Sequence, residues 1–537
     1  MKNIIISCLA ILTTYYLIPN TVFSASEFTT TFDSLYTISQ TGVAQVTHTI
    51  TLQNKLAHYY ATQYTLAVSG ENLTNLQVSD ETGPLIPSLT THNGITSIHL
   101  PINRPSIGKD QIKTLSIGYE SSDIVESIGN TMTINIPRLS QGNEADNYTR
   151  TVKVETLGSP PTLIYPSPNQ TEISDHYTTY TFVGSPSSAL TLLFGESVTY
   201  QLNLKYQLKN KEFGTIDSEL ALPPDTSYQR VLLHQITPPP SNVRVDPDGN
   251  WLARYSLKPQ EKLFVEAELY VTVYPKPILP DPSSSLPFST NHPDYWDLQS
   301  EVVQSLAQQL KTPFNIYTYL TNNFSYNFEK SSQGTTRLGA TQALTSPNLV
   351  VCTEFTDTFV ALARALNFPA REINGYAYTT NTLVRPLTLA TDVLHAWPEY
   401  YDSATKSWIQ IDPTWDNTTG GVDYFHKLDF SHLTFVRHGL EPTYPLPAGV
   451  YKDSSDQKYV QVKVASTIPP TLIRTQLKDG RVLNTGNVSL FDERVGYLPP
   501  YASQALPSPS HSSFYDKIKS LCASLLSKFS QLLPVSM

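Results

Sequence analysis

A cysteine, a histidine and an aspartate in the middle of the chain have the residue types that nucleophilic attack on a carbonyl requires. The cysteine is Cys352, and it comes directly before apolar residues at helical spacing, Phe355, Phe359, Leu362 and Leu366. This spacing predicts a buried helix that begins at or beside Cys352. The N–H groups and the dipole at a helix start stabilise negative charge, which favours the thiolate form of a cysteine. The alternative is that Cys352 is a small residue of the hydrophobic core.

The histidine and the aspartate belong to the stretch VLHAWPEYYDSATKSWIQIDPTW, which predicts two antiparallel strands at residues 394–401 and 407–412. A four-residue turn that pairs Tyr401 with Lys406 places His395 directly opposite Asp412. Side chains in directly opposed positions have Cβ atoms about 4.5–5.5 Å apart. A carboxylate at that distance fixes one ring nitrogen and leaves the other for a thiol. A turn one residue longer or shorter would separate the two residues, which would then have unrelated roles.

Taken in order, these segments resemble the core of the transglutaminase-like superfamily. The matching features are the mid-chain cysteine at a helix start, RALNFPAREINGYAY, HAWPEYYD and WIQIDPTW, within about residues 290–440. The resemblance implies a papain-related α+β core with a Cys-His-Asp triad. It assigns the nucleophile to Cys352, the base to His395 and the orienting carboxylate to Asp412.

The chain departs from the family pattern ahead of the cysteine. Some members place a tryptophan indole in the oxyanion hole, but no tryptophan lies between Trp296 and Trp397. The backbone N–H of Cys352 is therefore the expected first donor, and the second donor stays unassigned. In addition, Val350 and Val351 precede the cysteine, and Pro398 removes one backbone donor from the HAWxE strand.

The remaining polar and aromatic residues of this region are expected to be structural. We expect packing and strand pairing for Arg371, Trp397, Glu399 and Trp415. Three histidines have no metal-ligand spacing and are expected at the surface or in local hydrogen bonds: His426, His432 and His438. Because Cys/His pairs and carboxylate clusters are missing from the sequence, we predict no cofactor and no required metal.

The composition indicates several β-rich domains around this core. Of the 537 residues 40% are hydrophobic and 15% are charged, with 40 prolines and 32 tyrosines, as is typical of β-sandwiches with many turns. The predicted fold class is multidomain, an α+β papain-like transglutaminase core preceded by all-β sandwich domains and followed by a small β module and an amphipathic helix. The predicted segments are a signal peptide (1–25), a β-sandwich module (26–120), a second β-rich module (121–275), a Pro-rich linker (276–293), the transglutaminase-like catalytic core (294–445), a small β module (446–505), and a linker with an amphipathic helical tail (506–537).

The first residues predict export. Lys2 is followed by a short apolar run at residues 4–18, and Ser24 or Ala25 is suited to precede the cut. Of the three cysteines, Cys8 would leave with the signal, so Cys352 and Cys522 remain and form no disulfide framework. An exported, extracytoplasmic or cell-surface location follows.

The charge pattern bears on partners. The formal net charge is −10 and no Lys/Arg block occurs, so we expect no nucleic acid partner. The amphipathic tail is expected to dock on the protein or a partner, or to make weak contact with a membrane surface. The partner that the site implies is a protein or peptide substrate.

Together these features predict an exported thiol acyltransferase or hydrolase that acts on glutamine-type carboxamides or peptide bonds through a cysteine thioester. Crosslinking, deamidation and proteolysis all remain open. The alternative from another class is a cell-surface interaction or adhesion protein that uses a catalytically degenerate core as a scaffold. A membrane-tethered maturation protease is a third interpretation, which depends on the tail.

Overall fold

The structure is a computed structural model that describes most of residues 27–465 together with two short strands beyond them. The stretches outside the description are residue 59 and residues 70–72, 93–94, 140–144, 156–159, 185–188, 279–280, 282, 284–285, 334–335, 380, 383, 388–394, 452–457, 466–480 and 484–488, with 1–26 and 493–537 at the ends. The predicted signal peptide and the predicted helical tail therefore lie outside the described residues.

Fifteen strands form the first β unit, residues 28–194. They are β1 Phe28–Ile38, β2 Ala44–Asn54, β3 Gln63–Ser69, β4 Leu73–Asp80, β5 Gly83–Pro84, β6 Ser88–His92, β7 Ile95–Pro101, β8 Ile112–Ser121, β9 Val125–Ile128, β10 Thr131–Ile136, β11 Asn147–Glu155, β12 Leu163–Tyr165, β13 Gln170–Ile173, β14 Tyr177–Val183 and β15 Leu190–Phe194. They build three sheets, in the orders β13-β14-β11-β1-β2-β8-β4-β5, β12-β15-β10-β9 and β3-β7-β6. Residues of all three sheets meet in one hydrophobic core.

The predicted boundary at residues 120 and 121 is wrong. Strand β1 pairs in parallel with β11, from Thr31 opposite Asn147 to Ile38 opposite Val154. One sheet therefore crosses the predicted boundary, and the break comes after β15. Alternating hydrophobicity shows that a segment is a strand, but it does not show which distant strand it pairs with.

A second β unit follows, with strands β16 Val198–Lys209, β17 Ile216–Leu222, β18 Gln229–Thr237, β19 Asn242–Val245, β20 Trp251–Leu257 and β21 Lys262–Val273. Its sheets, β18-β21-β16 with a later strand β26 (Val460–Val464) added beside β16, and β17-β20-β19, share one hydrophobic core. That core also includes Leu193 of the first β unit and Leu433 and Phe435 of the region described next. The second β unit is thus packed against both of its neighbours.

The helical region, here called the core, contains α1 Glu301–Leu310, α2 Pro313–Asn323, α3 Phe328–Gln333, α4 Gly339–Thr345, α5 Cys352–Ala365, β22 Ala370–Ala377, β23 His395–Asp402, β24 Ser407–Gln410, α6 Pro413–Thr418 and β25 His432–His438. Its sheet has the order β24-β23-β22-β25. Helix α5 is buried from Glu354 to Arg364, which makes it the central element. The side chain of Thr312 caps α2, with Pro313 in its first turn.

Leu298, Val302, Leu306 and Leu310 are spaced four apart in the sequence, but α1 does not bury them as one face. Leu298 precedes α1, and Val302 is 42% exposed. The buried residues of this helix are instead Val303 and Ala307. A spacing of four drifts around the helix by about 40° per step, so a longer i+4 series does not stay on one face.

Strands β26 Val460–Val464, β27 Arg481–Leu483 and β28 Ser489–Asp492 complete the described elements. β26 pairs with β16 from Val460 opposite Leu204 to Val464 opposite Tyr200. This part of the predicted small β module (446–505) is therefore an edge strand of the second β unit, since unpaired edge groups of β16 accept a strand from far along the chain.

The predicted linker, residues 276–293, is bound along the protein rather than loose. Asp281 receives hydrogen bonds from Arg371 and Arg437, and the carbonyl of Thr290 accepts one from Arg364. Its described residues are therefore fixed by buried arginines of the core. Among the described parts of the chain, no helix has the length and apolar character needed to cross a bilayer.

A buried ion pair joins two adjacent strands of the core. Arg371 on β22 donates to Glu399 on β23, both side chains are fully buried, and the guanidinium carbon lies 3.8 Å from the centroid of the Trp408 ring. These contacts account for the expectation that Arg371 and Glu399 are structural.

Replacing Arg371 by Met should lower the free energy of unfolding by roughly 3–5 kcal/mol, because Glu399 would be left buried without its partner. The matched control is Arg254→Met, whose pair with Asp217 is partly exposed and is worth at most about 1 kcal/mol. Urea unfolding measures both, and equal losses would contradict the assignment.

Candidate active site

Helix α5 begins at Cys352 because a buried glutamate organises its first turn. The carboxylate of Glu354 accepts hydrogen bonds from the backbone N–H groups of Val351 and Leu338, at 2.8 and 2.9 Å. It also forms an ion pair with Lys330 at 2.9 Å. Val351 itself has extended backbone, so the helix cannot start earlier. Cys352 therefore occupies the first helical position, where the free N–H groups and the helix dipole stabilise negative charge.

The hairpin of His395 has a different register from the predicted one. Tyr401 pairs with Trp408 and Asp402 with Ser407, rather than Tyr401 with Lys406. The Asp402 carboxylate accepts from the N–H groups of Ala404 and Thr405, which moves the turn one residue further along. Each residue of β23 therefore pairs with a residue two positions further along the chain than predicted. An even shift keeps the side chains on the same face of the sheet.

Asp412 ends this hairpin as a helix cap rather than as a strand residue. Its Oδ1 accepts from the N–H groups of Thr414 and Trp415 at the start of α6. Its Oδ2 accepts from Nε2 of His395 at 2.8 Å. The structure therefore brings these two predicted site residues together, although the strand pairing on which the prediction relied is absent.

The thiol of Cys352 lies on the other side of the His395 ring. The thiol lies close enough to the imidazole to favour the charged ring. Since Nε2 is bonded to Asp412, and Nδ1 has no hydrogen-bond partner among the described residues, Nδ1 is the ring atom that is open to the sulfur. Both Cys352 and His395 are 1% exposed. The three predicted site residues thus form one continuous, desolvated series.

The electrostatics of this series favour an imidazolium. Burial opposes the charge, but the Asp412 carboxylate and its hydrogen bond, together with Cys352, raise the pKa of His395 from 6.5 to about 10. Burial likewise disfavours ionised Asp412, yet the charge of His395 holds the pKa of that carboxyl well below its usual range. At neutral pH the ring therefore carries the proton that a leaving amine needs.

His432 is the site residue that sequence reasoning missed. It was expected at the surface or in local hydrogen bonds, but it is buried and its Nε2 donates to Asp412 Oδ2 at 3.2 Å. Its Nδ1 makes the expected local bond to Asp429, at 2.7 Å. Burial disfavours a charged ring, but Asp429 and Asp412 outweigh this effect and raise the pKa of His432. Only the pairing of β25 with β22 reveals this contact, since no spacing in the sequence joins positions 412 and 432.

The other two histidines differ from each other. His426 is partly exposed and bonded to nearby Asp423, as expected. His438 is buried, and its Nε2 donates to the carbonyl of Pro445 nearby in the chain, so it has the local hydrogen bond and not the surface position.

Two tryptophans fix the plane of the His395 ring. The rings of Trp415 and Trp397 lie 5.1 and 5.7 Å from it between centroids, nearly parallel to it. Gly375 lies opposite His395 in the sheet, and a Cβ there would come within 2.8 Å of the Trp397 ring. The expected structural roles of the tryptophans agree with these contacts.

A buried tyrosine adjoins the nucleophile. Tyr326 forms an isolated parallel bridge with Val350, two residues before Cys352. Burial and then the negative charge of Cys352 raise the pKa of Tyr326. The hydroxyl of Tyr326 is buried near Ser331. It forms no hydrogen bond of acceptable geometry with a described residue.

Three of these residues have the composition of a small metal site. The donor atoms of His395, Asp412 and His432 lie within 4.8 Å of one another. In the structure, however, Asp412 Oδ2 already accepts a hydrogen bond from each ring. Hydrogen bonding alone explains the cluster, and the absence of a required metal stays a prediction.

Comparison with known proteins identifies the family of the core. Residues 297–413 match the model of the transglutaminase-like superfamily, so the chain contains a transglutaminase-like core and the resemblance of its motifs is confirmed. The strand-rich region before that core is confirmed as well. No curated protein matches the chain.

Similar solved structures are distant. A candidate cysteine protease from Cytophaga hutchinsonii is 19% identical with a TM-score of 0.34, over 51% of this chain and 93% of that chain. The periplasmic domain of TgpA from Pseudomonas aeruginosa is 15% identical with a TM-score of 0.23, over 43% and 98%. An M1 zinc metallopeptidase from Deinococcus radiodurans is 11% identical with a TM-score of 0.23, over 35% and 46%.

The destabilisation caused by Asp412→Asn should depend on pH. Because the folded-state pKa of His395 is raised from 6.5 to about 10, its charged ring stabilises the fold fully below pH 6.5 and this contribution is lost as pH rises through 10. The Asp412 carboxyl has a lowered pKa, so its contribution is present above its ordinary value of 3.8. The loss of stability in Asp412→Asn should therefore be largest between pH 3.8 and pH 6.5, and it should shrink as the pH rises toward 10.

Urea unfolding at several pH values measures this dependence. Asp402→Asn, in the exposed turn of the same hairpin, is the control and should show no change between pH 6.5 and 10. A pH-independent loss for Asp412→Asn would contradict the ion pair.

Proposed function

We propose that the transglutaminase-like core belongs to a thiol enzyme that transfers or hydrolyses the acyl group of glutamine-type carboxamides or peptide bonds. The observation that carries the proposal is the buried series of Cys352, His395 and Asp412. A thiol at a helix start, a charged imidazole and a fixed carboxylate are the groups that this chemistry uses.

The first half of the reaction forms a thioester. The sulfur of Cys352 attacks the carbonyl carbon, and the carbonyl electrons move to oxygen to give a tetrahedral intermediate. When the intermediate collapses, the C–N bond breaks and His395 gives its proton to the nitrogen that leaves. The products are an acyl-Cys352 thioester and ammonia or an amine, and His395 becomes neutral.

The second half releases the acyl group. Water or a primary amine attacks the thioester, and neutral His395 takes the proton of the attacking group. The C–S bond then breaks and the thiolate returns opposite a charged ring. Asp412 keeps Nε2 protonated throughout, so Nδ1 remains the atom that exchanges protons with the reacting groups.

The oxyanion that forms in each half requires hydrogen-bond donors. The backbone N–H of Cys352 is the expected first donor, as at other nucleophiles that begin a helix. The second is the hydroxyl of Tyr326, which lies beside the cysteine and has no acceptor of good geometry among the described residues. It takes the position for which the sequence offers no tryptophan.

Export belongs to this proposal and is supported by the N-terminal sequence alone. Lys2 and the apolar run at residues 4–18 have the form of a secretory signal. The enzyme would then meet its protein or peptide substrate outside the cytoplasm.

Mass spectrometry of a glutamine-containing peptide, incubated with and without a primary amine, tests the reaction. The full chain should replace the side-chain amide by the amine, or by water when no amine is present, and Cys352→Ala should abolish both products. Cleavage of the backbone would instead identify a protease. Unmodified peptide with the wild-type chain, in every arm, would contradict an enzymatic function.

Tyr326→Phe should lower the acylation rate by about 10²-fold, since it removes one oxyanion donor and keeps the ring. Alkylation of Cys352 by iodoacetamide generates no oxyanion, so its rate should stay within about twofold of wild type. Tyr319→Phe, in the same hydrophobic core, is the matched control. Equal acylation rates for the two variants would remove Tyr326 from the mechanism.

A further inference from the structure

A cleft lies between the first β unit and the core, next to the candidate active site. Part of it is open to solvent, and its walls include Asp123 and Glu126 on one side and Asn381, Arg385, Thr419 and Val422 on the other. The second wall is directly connected to the site, because residues 419–422 follow the helix that Asp412 caps.

We propose that this cleft is a recognition subsite for a lysine or arginine side chain of the peptide substrate. The proposal rests on the proposed function, because it concerns the same substrate. It assigns to the first β unit a part in substrate selection, which neither the family match nor the Cys-His-Asp series provides.

The hydrogen-bonding capacity of the cleft is unbalanced toward acceptors. Oδ2 of Asp123 and Oε1 of Glu126 are buried, and neither has a partner among the described residues. A buried carboxylate oxygen without a donor costs free energy, so a ligand that supplies N–H groups there is favoured. An ammonium or guanidinium supplies several such groups.

The guanidinium group of the cleft is already directed into the protein. Arg385 forms an ion pair with Glu126 Oε2 at 2.9 Å and also bonds to the hydroxyl of Tyr424. The side chains of Arg385 and Glu126 are 10% and 12% exposed, so this pair is a built feature of the junction. Because Arg385 pairs with Glu126, it does not neutralise the carboxylate of Asp123.

The position of the cleft suits recognition rather than reaction. The guanidinium carbon of Arg385 lies 5.7 Å from the centroid of the Trp415 ring, and that ring lies 5.1 Å from the ring of His395. A tryptophan therefore separates the cleft from the imidazole. A cation held at Asp123 and Glu126 belongs to a residue that flanks the reacting group, not to the amine that reacts.

Binding and turnover of matched peptides test the subsite. The peptides contain one glutamine and differ only at a neighbouring position, which carries lysine, arginine, norleucine or glutamate. The full chain with Cys352→Ala is used for binding by fluorescence anisotropy, and the wild-type chain for kcat/KM. The cationic peptides should bind about tenfold tighter than the norleucine peptide, as a charge-assisted contact predicts.

Asp123→Asn should reduce this preference to about twofold or less, because it removes a carboxylate whose Oδ2 has no donor and leaves the pair of Glu126 with Arg385 intact. Glu126→Gln is the second variant, and thermal melting shows whether either substitution disturbs the fold. Asp33→Asn removes the same charge from an exposed position of β1 and should keep the full preference.

The outcomes separate the subsite from the catalytic proposal. A preference in binding without any turnover would support the subsite and contradict the enzyme. Turnover with equal kcat/KM and equal binding for lysine and norleucine would overturn the subsite alone. It would also be overturned if Asp123→Asn kept the preference, or if the chain bound none of the peptides.

Discussion

The site depends on one buried carboxylate, that of Asp412. Burial of an ionised carboxyl is costly unless hydrogen bonds and charges compensate for the loss of water. Here Oδ1 caps helix α6 through the N–H groups of Thr414 and Trp415, and Oδ2 accepts from His395 and His432. The first pair of bonds holds the carboxylate in place. The second pair raises the pKa of both imidazoles although burial opposes their charge.

The surrounding fold excludes water from this arrangement and holds its side chains in place. Glu354 fixes the start of α5, and the indole rings of Trp397 and Trp415 lie against the imidazole of His395. Further out, Arg371 and Glu399 tie β22 to β23. The β units do more than separate the helical region from other parts of the chain. The hydrophobic interior of the second β unit continues into β25, the strand on which His432 lies. A substitution in that interior would therefore alter the packing of the strand whose histidine donates to Asp412.

Local patterns in the sequence were sufficient where a single segment determines the structure. The helix start at Cys352 follows from apolar spacing, and the family of the core follows from the order of its motifs. Contacts between distant segments were not accessible in this way: the parallel pairing of β1 with β11, the addition of β26 to β16, and the bond from His432 to Asp412. The predicted register of the hairpin was wrong by two residues. An even error leaves the side chains on the same face, so His395 and Asp412 were still correctly matched.

The measurement that tests the central claim most directly is the rate of Cys352 alkylation by iodoacetamide at about pH 7, in the full chain with Cys8→Ser and Cys522→Ser. If Cys352 and His395 form a thiolate–imidazolium pair, labelling should be fast in this chain and at least about tenfold slower when His395 is replaced by Ala. Equal rates in the two chains, with both variants folded, would show that the imidazole does not act on the sulfur and would contradict the account.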